Sequence, residues 1–325
     1  IREILANPEA YGRSEYGRDE KVMVEFVSAN PTGPMHMGNA RGGALGDCLA
    51  AVLDKAGYNA WREFYVNDAG NQIEKFGCSL EARYLQIFKG DEIEFPEDGY
   101  QGEDIKDLAK EYADLNGDSL VNVSAEERKK ALVDYALPKN IKKMQADMEK
   151  YKIFYDKWFF ESELHKSGAV KAVVDLLTKK GLTYEKEGAV WYKNKEVLTQ
   201  KLLKEGKSQK YIDNLELKDD VLIRQNGNPT YFTADIAYHK NKFDRGFTTL
   251  IDVWGADHHG HVMRMKGAMD AIGYDGDKLN VVLMQLVKLV KDGELVRMSK
   301  RTGKAIQLGD LLDAVSYTHL TLPTT

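Results

Sequence analysis

The chain has 325 residues, of which 43% are hydrophobic and 30% are charged, and its formal net charge is −5. This length and apolar content suffice for a substantial core. No apolar run reaches the length of a membrane-spanning helix, so no membrane partner is expected, and residues 1–20 are too polar for a signal peptide. The negative charge argues mildly against a nucleic-acid partner, because phosphate contacts need a positive surface.

The first predicted elements are a strand, a turn and a helix. Residues 22–27 form a short apolar run rich in β-branched residues, which is typical of a buried parallel strand. Prolines and glycines follow, and then a helical apolar spacing that Gly57 ends. At the start of this helix, free N–H groups and the helix dipole favour a phosphate, which Gly38 would let approach and to which His36 would add a donor. Taken alone, His36 is more often a helix-start residue without a chemical role. The apolar positions of this helix are Ala40, Ala44, Leu45, Cys48, Leu49, Val52, Leu53 and Ala56.

The cysteine content is two residues, Cys48 and Cys78. Two thiols cannot complete a zinc site alone, and Cys48 lies on the apolar face of the predicted helix. We therefore interpret both as reduced packing residues, which is typical of a cytoplasmic protein, and we expect no structural metal.

Further elements follow in chain order. Residues 59–66 predict a second parallel strand, which completes a right-handed crossover. A long, polar, helix-rich block comes next, and the lysine-rich stretch 193–219 is predicted to be a surface excursion with no catalytic role. Later apolar runs predict a return to the sheet. The predicted helices are 71–88, 105–115, 125–151, 234–241 and 259–272, and the returning strands are 221–224, 250–254 and 279–286.

A hairpin and a basic loop lie near the other end of the chain. The run 287–294 contains an Asp-Gly pair, which is a strong turn signal. Residues 297–304 then carry four cations, which suit a triphosphate whose charge shifts as a bond to its α-phosphate breaks. On its own, such a loop is more often solvated surface.

A cluster of Asp257, His258, His259 and His261 invites interpretation as a metal site. However, no cysteine or glutamate completes a tetrahedral set, and a Gly-Ala turn after an apolar strand suits a nucleotide. We therefore favour the nucleotide over the metal.

Two short motifs and four longer segments resemble a known family. His36-Met37-Gly38-Asn39 resembles the HIGH tetrapeptide of class I aminoacyl-tRNA synthetases, and Arg297-Met298-Ser299-Lys300-Arg301 resembles their KMSKS loop. The departures, Asn39 for the second histidine and Arg297 for the first lysine, keep a hydrogen-bond donor and a positive charge. Four segments resemble the arginyl-tRNA synthetase family in particular, and the resemblance extends over about residues 8–315. These segments are Val24–Pro34, Tyr65–Gln72, Thr230–His239 and Val253–Gly260.

The resemblance implies an α/β fold, with a Rossmann-like, parallel-sheet nucleotide-binding catalytic domain and a helical insertion. It also implies that an anticodon-binding domain is missing beyond the last family-like residues and that an N-terminal domain is absent. The implied divisions are the end of an N-terminal linker at 1–20, the first half of the catalytic domain at 21–77, a helix-rich connecting insertion at 78–189, the second half with the Met-Ser-Lys loop at 190–315, and a threonine-rich tail, interpreted as artefactual, at 316–325.

Roles for individual residues follow from the same resemblance. His36, Asn39 and Lys300 would be catalytic, with Lys300 stabilising the transition state. Because a guanidinium needs carboxylates in a fork geometry, Asp235 and Tyr231 would hold the substrate side chain. The expected arginine-binding residues are Glu25, Ser28, Asn30, His36, Tyr231, Asp235 and Asp257. The expected ATP-binding residues are Pro31, Gly33, His36, Gly38, Asn39, Gly255, Asp257, His258, Met298, Ser299 and Lys300.

The implied reaction is attack of the arginine carboxylate on the α-phosphate of ATP, followed by transfer of the arginyl group to tRNA(Arg). ATP is expected with Mg²⁺, and the enzyme is expected to be a cytoplasmic monomer. Two alternatives stay open: a non-catalytic or truncated tRNA- or ATP-binding fragment, and another class I adenylate-forming enzyme. Without the resemblance, Asp235 could equally be a helix-start acid, and Glu25 a member of a buried ion pair.

Overall fold

The computed structural model describes residues 1–285, 287, 289–291, 294–296 and 306–313. Two units divide this part of the chain. Unit 1 comprises Ile1–Phe26, Leu45–Phe64 and Asp156–Gln285, and unit 2 comprises Val27–Ala44, Tyr65–Tyr155 and the described residues after 285. Each unit is therefore assembled from segments that are distant in the sequence.

The strands, in chain order, are β1 (Lys21–Glu25), β2 (Asn59–Val66), β3 (Lys157–Phe160), β4 (Thr183–Lys186), β5 (Ala189–Tyr192), β6 (Asp220–Ile223), β7 (Thr249–Gly255), β8 (Leu279–Met284), β9 (Leu289–Lys291) and β10 (Glu294–Val296). The α-helices are α1 (Arg2–Ala6), α2 (Met37–Lys55), α3 (Asn71–Lys89), α4 (Glu103–Asn116), α5 (Ala125–Lys150), α6 (Glu161–Lys166), α7 (Ala169–Lys179), α8 (Asn194–Lys204), α9 (Gln209–Asp213), α10 (Tyr231–Asp244) and α11 (His259–Ile272). Within the described residues, none of the helices is both long enough and apolar enough to cross a membrane.

Unit 1 is built on a five-stranded sheet in the order β3-β2-β1-β7-β8. β1 runs parallel to β2 and to β7, so Val22 lies opposite Ala60 on one side and Thr249 on the other. β7 in turn runs parallel to β8. All residues of β1 after Lys21 are buried, as expected for a central strand covered on both faces. The predicted parallel-sheet α/β fold is confirmed, and β2 has the predicted bounds.

Two strands differ from the prediction. β3 lies inside the block that was predicted to be helix-rich, and it forms an edge of the main sheet beside β2. Asp156, directly before β3, accepts the Arg62 N–H of β2 at 2.7 Å through its Oδ2. Residues 221–224, predicted to resume the parallel sheet, lie instead at β6 in an antiparallel sheet of order β4-β5-β6, so this prediction is wrong. A short apolar run does not specify its partner. A partner is available in the β4–β5 hairpin, which turns at Glu187 and Gly188 with φ of 54° and 73°.

The helix α2 packs through its glycines rather than through its predicted apolar face. A Cβ on Gly46 would lie 2.1 Å from Phe26 in unit 1, and a Cβ on Gly43 would lie 2.9 Å from Ile153 in unit 2. Glycine therefore permits an approach that a side chain would block. Cys48, on the predicted apolar face, is exposed, so its interpretation as a packing residue is wrong.

Unit 2 contains the long helices α3, α4 and α5, close to the predicted ranges. Ser124 caps α5, because its hydroxyl accepts the Glu127 N–H at 3.2 Å. The pattern Ser-x-x-Glu at this point is typical of a helix start. The buried residues of the three helices and their connections form one apolar cluster: Phe76, Leu80, Tyr84, Ile105, Ala109, Ala113, Leu120, Leu132 and Ala136.

The lysine-rich stretch 193–219 contains α8 and α9. Leu198 and Leu202, one turn apart on α8, are buried. A Cβ on Gly267 of α11 would lie 2.6 Å from Leu198, so the two helices pack closely. Only part of this stretch is thus the surface excursion that the sequence predicted. Its lack of a catalytic role stays a prediction.

Candidate active site

The chain turns sharply directly after β1. Val27 and Ser28 have φ of 71° and 43°, left-handed values that cost about 1–3 kcal/mol in non-glycine residues and cluster at functional sites. The Ser28 hydroxyl accepts the Tyr65 N–H at 3.2 Å, and the Pro31 carbonyl accepts the Asn140 side-chain amide at 3.0 Å. These contacts fix the turn within unit 2.

His36 and its neighbours form the start of α2. The Gly38 N–H donates to His36 Nδ1 at 3.1 Å, and the side-chain oxygen of Asn39 accepts the His36 N–H at 3.0 Å. A Cβ on Gly38 would lie 2.8 Å from the imidazole, so the ring folds back only over a glycine. Since Nδ1 accepts, a neutral ring carries its hydrogen on Nε2. One N–H at the start of the helix, where the sequence predicts free donors for a phosphate, is therefore paired within the turn, and Nε2 is the ring atom that could donate to an anion.

A cavity of about 230 Å³ adjoins this turn in unit 2, and Gly33 and His36 are among its lining residues. Glu103 and Asp104 line it as well. Glu103 is paired with the Lys106 ammonium at 2.6 Å, so its negative charge is already matched beside the cavity.

A buried cluster of charges occupies the sheet of unit 1. Lys242 of α10 donates to Glu25 Oε2 at 2.5 Å and to Asp252 Oδ1 at 2.8 Å, and its side chain is 0% exposed. His239 Nε2 lies 2.7 Å from Asp252 Oδ2, and His239 Nδ1 lies 2.7 Å from the Asp235 carbonyl. The Glu25 carboxylate and the Asp235 backbone carbonyl are thus joined by one continuous chain of hydrogen bonds.

The two carboxyl groups of this cluster respond to their surroundings in opposite directions. Burial raises the pKa of Glu25, and the Lys242 ammonium only partly offsets this. Burial also acts to raise the pKa of Asp252, but Lys242 and His239 outweigh it and lower that pKa to about 2. Burial would lower the pKa of Lys242, yet Asp252 and Glu25 raise it to about 12. Lys242 and Asp252 therefore form a strong ion pair, and Glu25 is the carboxyl group that is easier to protonate.

The start of α10 is anchored on the small antiparallel sheet. The Thr230 hydroxyl donates to the Val221 carbonyl at 2.7 Å, and the Thr233 hydroxyl donates to the Leu222 carbonyl at 2.7 Å. Tyr231, between the two threonines, is exposed. The first turn of α10 therefore presents Tyr231 outward from a fixed position.

Asp235 lies one helical turn after Tyr231 and begins a second chain of polar contacts. Its Oδ2 lies 3.1 Å from His261 Nε2, and its side chain is 35% exposed. Arg264 Nη2 lies 3.0 Å from His261 Nδ1, and Arg264 Nη1 lies 3.2 Å from Asp220 Oδ1. The sequence did not assign roles to Arg264 or Asp220, and it considered His261 only as a metal ligand.

β7 ends at Gly255, and Asp257 and His258 follow directly in a short 3-10 turn. A Cβ on Gly255 would lie 2.4 Å from Asp257 Oδ1, so the aspartate folds back against a glycine. Asp257 and His258 are exposed and lie 3.8 Å apart at their nearest polar atoms. Within the described parts of the chain, no three His, Cys, Asp or Glu side chains lie close enough together to hold a metal ion.

The predicted site residues are distributed over both units. Unit 1 contains Glu25, Tyr231, Asp235, Gly255, Asp257 and His258, and unit 2 contains Ser28, Asn30, Pro31, Gly33, His36, Gly38 and Asn39. The predicted hairpin is confirmed, because β9 and β10 form an antiparallel pair. Its Asp-Gly turn, the loop residues Arg297, Met298, Ser299 and Lys300, and the tail 316–325 lie outside the described residues.

Comparison with known proteins gives consistent matches. A family model described as tRNA synthetases class I (R), catalytic domain, matches residues 1–320. An arginine–tRNA ligase from Ruminiclostridium cellulolyticum is 59% identical over 314 residues, which are 96% of this chain and 53% of that protein. An arginine–tRNA ligase from Caldanaerobacter subterraneus is 60% identical over 306 residues, which are 94% of this chain and 51% of that protein. The crystal structure of a candidate arginyl-tRNA synthetase from Campylobacter jejuni is 37% identical, with a TM-score of 0.81, and the match covers 98% of this chain and 65% of that one. The chain spans about half the length of the curated relatives it matches.

Proposed function

Because the chain belongs to the family of class I tRNA synthetase (R) catalytic domains, we propose that it activates L-arginine with ATP and serves arginine–tRNA ligation. The observation that carries the proposal is the Asp235 carboxylate. It is one-third exposed, one of its oxygens faces His261, and its Oδ1 has no hydrogen-bond partner among the described residues. A carboxylate with an available oxygen, held on a rigid helix, suits a guanidinium.

The proposed reaction has two steps. In the first, a carboxylate oxygen of arginine forms a bond to the α-phosphorus of ATP, and the bond between the α-phosphorus and the bridging oxygen breaks, releasing pyrophosphate. In the second, a hydroxyl of the terminal adenosine of tRNA(Arg) attacks the arginyl carbonyl, and AMP leaves. Both steps need positioned reactants and charge stabilisation but no covalent enzyme intermediate.

Within this proposal, Asp235 and Tyr231 of unit 1 bind the guanidinium. In unit 2, the His36 ring can donate through Nε2 to a phosphate oxygen, because its Nδ1 is occupied by the Gly38 N–H. Asn39 holds His36 by accepting its backbone N–H. Lys300 supplies positive charge as the bond to the α-phosphate breaks.

The proposed reaction also needs a metal ion, an oligomeric state and a location in the cell. Mg²⁺ enters with ATP, bound chiefly through phosphate oxygens, as this ion commonly is. The catalyst acts as a monomer, and the reaction takes place in the cytoplasm.

An arginyl-adenylate analogue with a sulfamoyl group in place of the phosphate tests this proposal. The 325-residue chain is titrated in a calorimeter with the arginyl analogue and, as a matched control, with the lysyl analogue. We expect the arginyl compound to bind at least about 100-fold more tightly, since a site built for a bidentate guanidinium leaves polar groups unpaired with an ammonium.

Two results would contradict the proposal. Equal binding of both analogues would favour another amino-acid specificity within the class. Binding of neither analogue by a folded chain would favour the non-catalytic alternative. Arginine-dependent exchange of pyrophosphate into ATP is the catalytic counterpart of this measurement.

A further inference from the structure

Arg264 determines which nitrogen of His261 carries the hydrogen. Arg264 Nη2 lies 3.0 Å from His261 Nδ1, and a guanidinium can only donate. Nδ1 must therefore accept, and the ring hydrogen lies on Nε2. Nε2 is 3.1 Å from Asp235 Oδ2, so it donates to that carboxylate.

The surroundings hold these two side chains in place. The ring of His261 packs edge-on against Phe232 at 5.6 Å between centroids, and it lies 5.4 Å from the ring of Trp254. The Arg264 guanidinium lies 5.0 Å from the Phe232 ring centroid, and it pairs with Asp220 at 3.2 Å. Aromatic walls and an ion pair leave His261 little freedom to rotate.

We propose that His261 is a positioning residue, which orients the Asp235 carboxylate toward the guanidinium of the amino-acid substrate, and that Arg264 keeps His261 in the form that donates through Nε2. The inference rests on the proposed function, because it takes arginine as the ligand of Asp235. It names two residues, His261 and Arg264, to which the sequence gave no part in arginine binding.

The arrangement has a chemical advantage over a direct ion pair. A lysine or arginine at position 261 would hold Asp235 equally well but would cancel its negative charge. The ring N–H orients the carboxylate, while the positive charge of Arg264 is already paired with Asp220. Asp235 therefore keeps its charge for a cationic ligand, so the site favours arginine over the uncharged analogue citrulline.

The tautomer can be observed directly in the 325-residue chain without any ligand. Long-range proton–nitrogen NMR spectra of the chain with ¹⁵N-labelled histidine distinguish a hydrogen on Nε2 from one on Nδ1, and the signal that disappears in His261→Gln identifies the residue. We expect the Nε2 form, with Nδ1 unprotonated. A hydrogen on Nδ1, alone or together with one on Nε2, would overturn the role given to Arg264.

Variants at position 261 then test the effect on arginine. His261→Leu removes the donor to Asp235, and we expect arginine to bind about 10–100-fold more weakly, with reduced preference over citrulline. His261→Gln restores a donor and an acceptor and should stay within about threefold of the unmodified chain. His165→Leu is the matched control, because His165 also contacts a carboxylate of unit 1, Glu161, at 3.3 Å but lies outside the proposed site.

Each outcome has one meaning. If His261→Leu binds arginine as tightly as the unmodified chain, or if His165→Leu weakens binding as much as His261→Leu does, the positioning role is refuted. If His261→Gln binds as weakly as His261→Leu, the hydrogen-bond argument is refuted. Failure of the unmodified chain to bind arginine would refute the proposed function instead. The NMR measurement of the His261 tautomer needs no ligand, so it would still test the role given to Arg264.

Discussion

Removal of the buried ammonium by Lys242→Met should strongly destabilise unit 1. Lys242 is 0% exposed and lies 2.5 Å from a Glu25 oxygen and 2.8 Å from an Asp252 oxygen. Methionine has a similar length but no charge, so the variant leaves two buried carboxylates without the ammonium that pairs with both of them. Loss of one partner from a buried ion pair costs about 3–5 kcal/mol. A domain of this size has a total stability of about 5–15 kcal/mol, and the midpoint of thermal unfolding should fall by about 6–20 °C.

Urea unfolding followed by tryptophan fluorescence reports on this unit specifically. All four tryptophans of the chain belong to unit 1: Trp61, Trp158, Trp191 and Trp254. Lys240→Met is the matched control, because Lys240 lies on the same helix and pairs with Asp244 at 2.6 Å but is 30% exposed. A surface pair of this kind contributes about 0–1 kcal/mol. Equal losses in the two variants, or a loss below about 1 kcal/mol for Lys242→Met, would refute the assignment of a strong buried pair.

Three further predictions concern acid stability and the proposed reaction. The pKa of Asp252 is lowered to about 2 in the folded chain, so its carboxylate contributes about 2 kcal/mol to the free energy of unfolding above about pH 4, and this contribution is lost as the pH falls from 4 to 2. Urea unfolding across this range should show the loss in the unmodified chain. An equal loss of stability between pH 4 and pH 2 in the variant Asp252→Asn would contradict the prediction. Asp235→Ala should weaken L-arginine binding by about 2–3 kcal/mol, a moderate value because the carboxylate is partly exposed, and calorimetry showing near-normal affinity would mean that Asp235 is only a helix-start acid. Lys300→Ala should lower the single-turnover rate of arginyl-adenylate formation by about 100–1000-fold with a smaller effect on arginine binding, and an unchanged rate would remove Lys300 from the mechanism.

Local patterns predicted local structure well. The strand at 59–66 and the helix at 259–272 were predicted with the observed bounds, because the signals for a strand and for a helix act within a few residues. Partners distant in the sequence were not predictable in this way. The run at 221–224 is as apolar as a strand of the main sheet, and its sheet is decided by the β4–β5 hairpin that precedes it.

Contacts within the candidate site were likewise not predictable from local sequence patterns. In the sequence, Lys242 resembles Lys240, two positions earlier, since both belong to a polar helical stretch. Their burial differs because Lys242 faces β1 and β7, whose carboxylates are 217 and 10 residues away. Likewise, His261 stood in a histidine-rich run that suggested a metal. Its partner Asp235 lies 26 residues away, so only the fold shows the contact.

The two edges of β1 are completed at very different times during synthesis. β2 follows within about forty residues and can pair with the first edge early, whereas the second edge needs β7, more than two hundred residues later. At about 5–20 residues per second, this second edge waits for roughly 10–45 s after β1 leaves the ribosome. During that interval an apolar strand with unpaired N–H and C=O groups is available to wrong partners. The nascent chain therefore exposes this edge of β1 from its synthesis until β7 is available to pair with it.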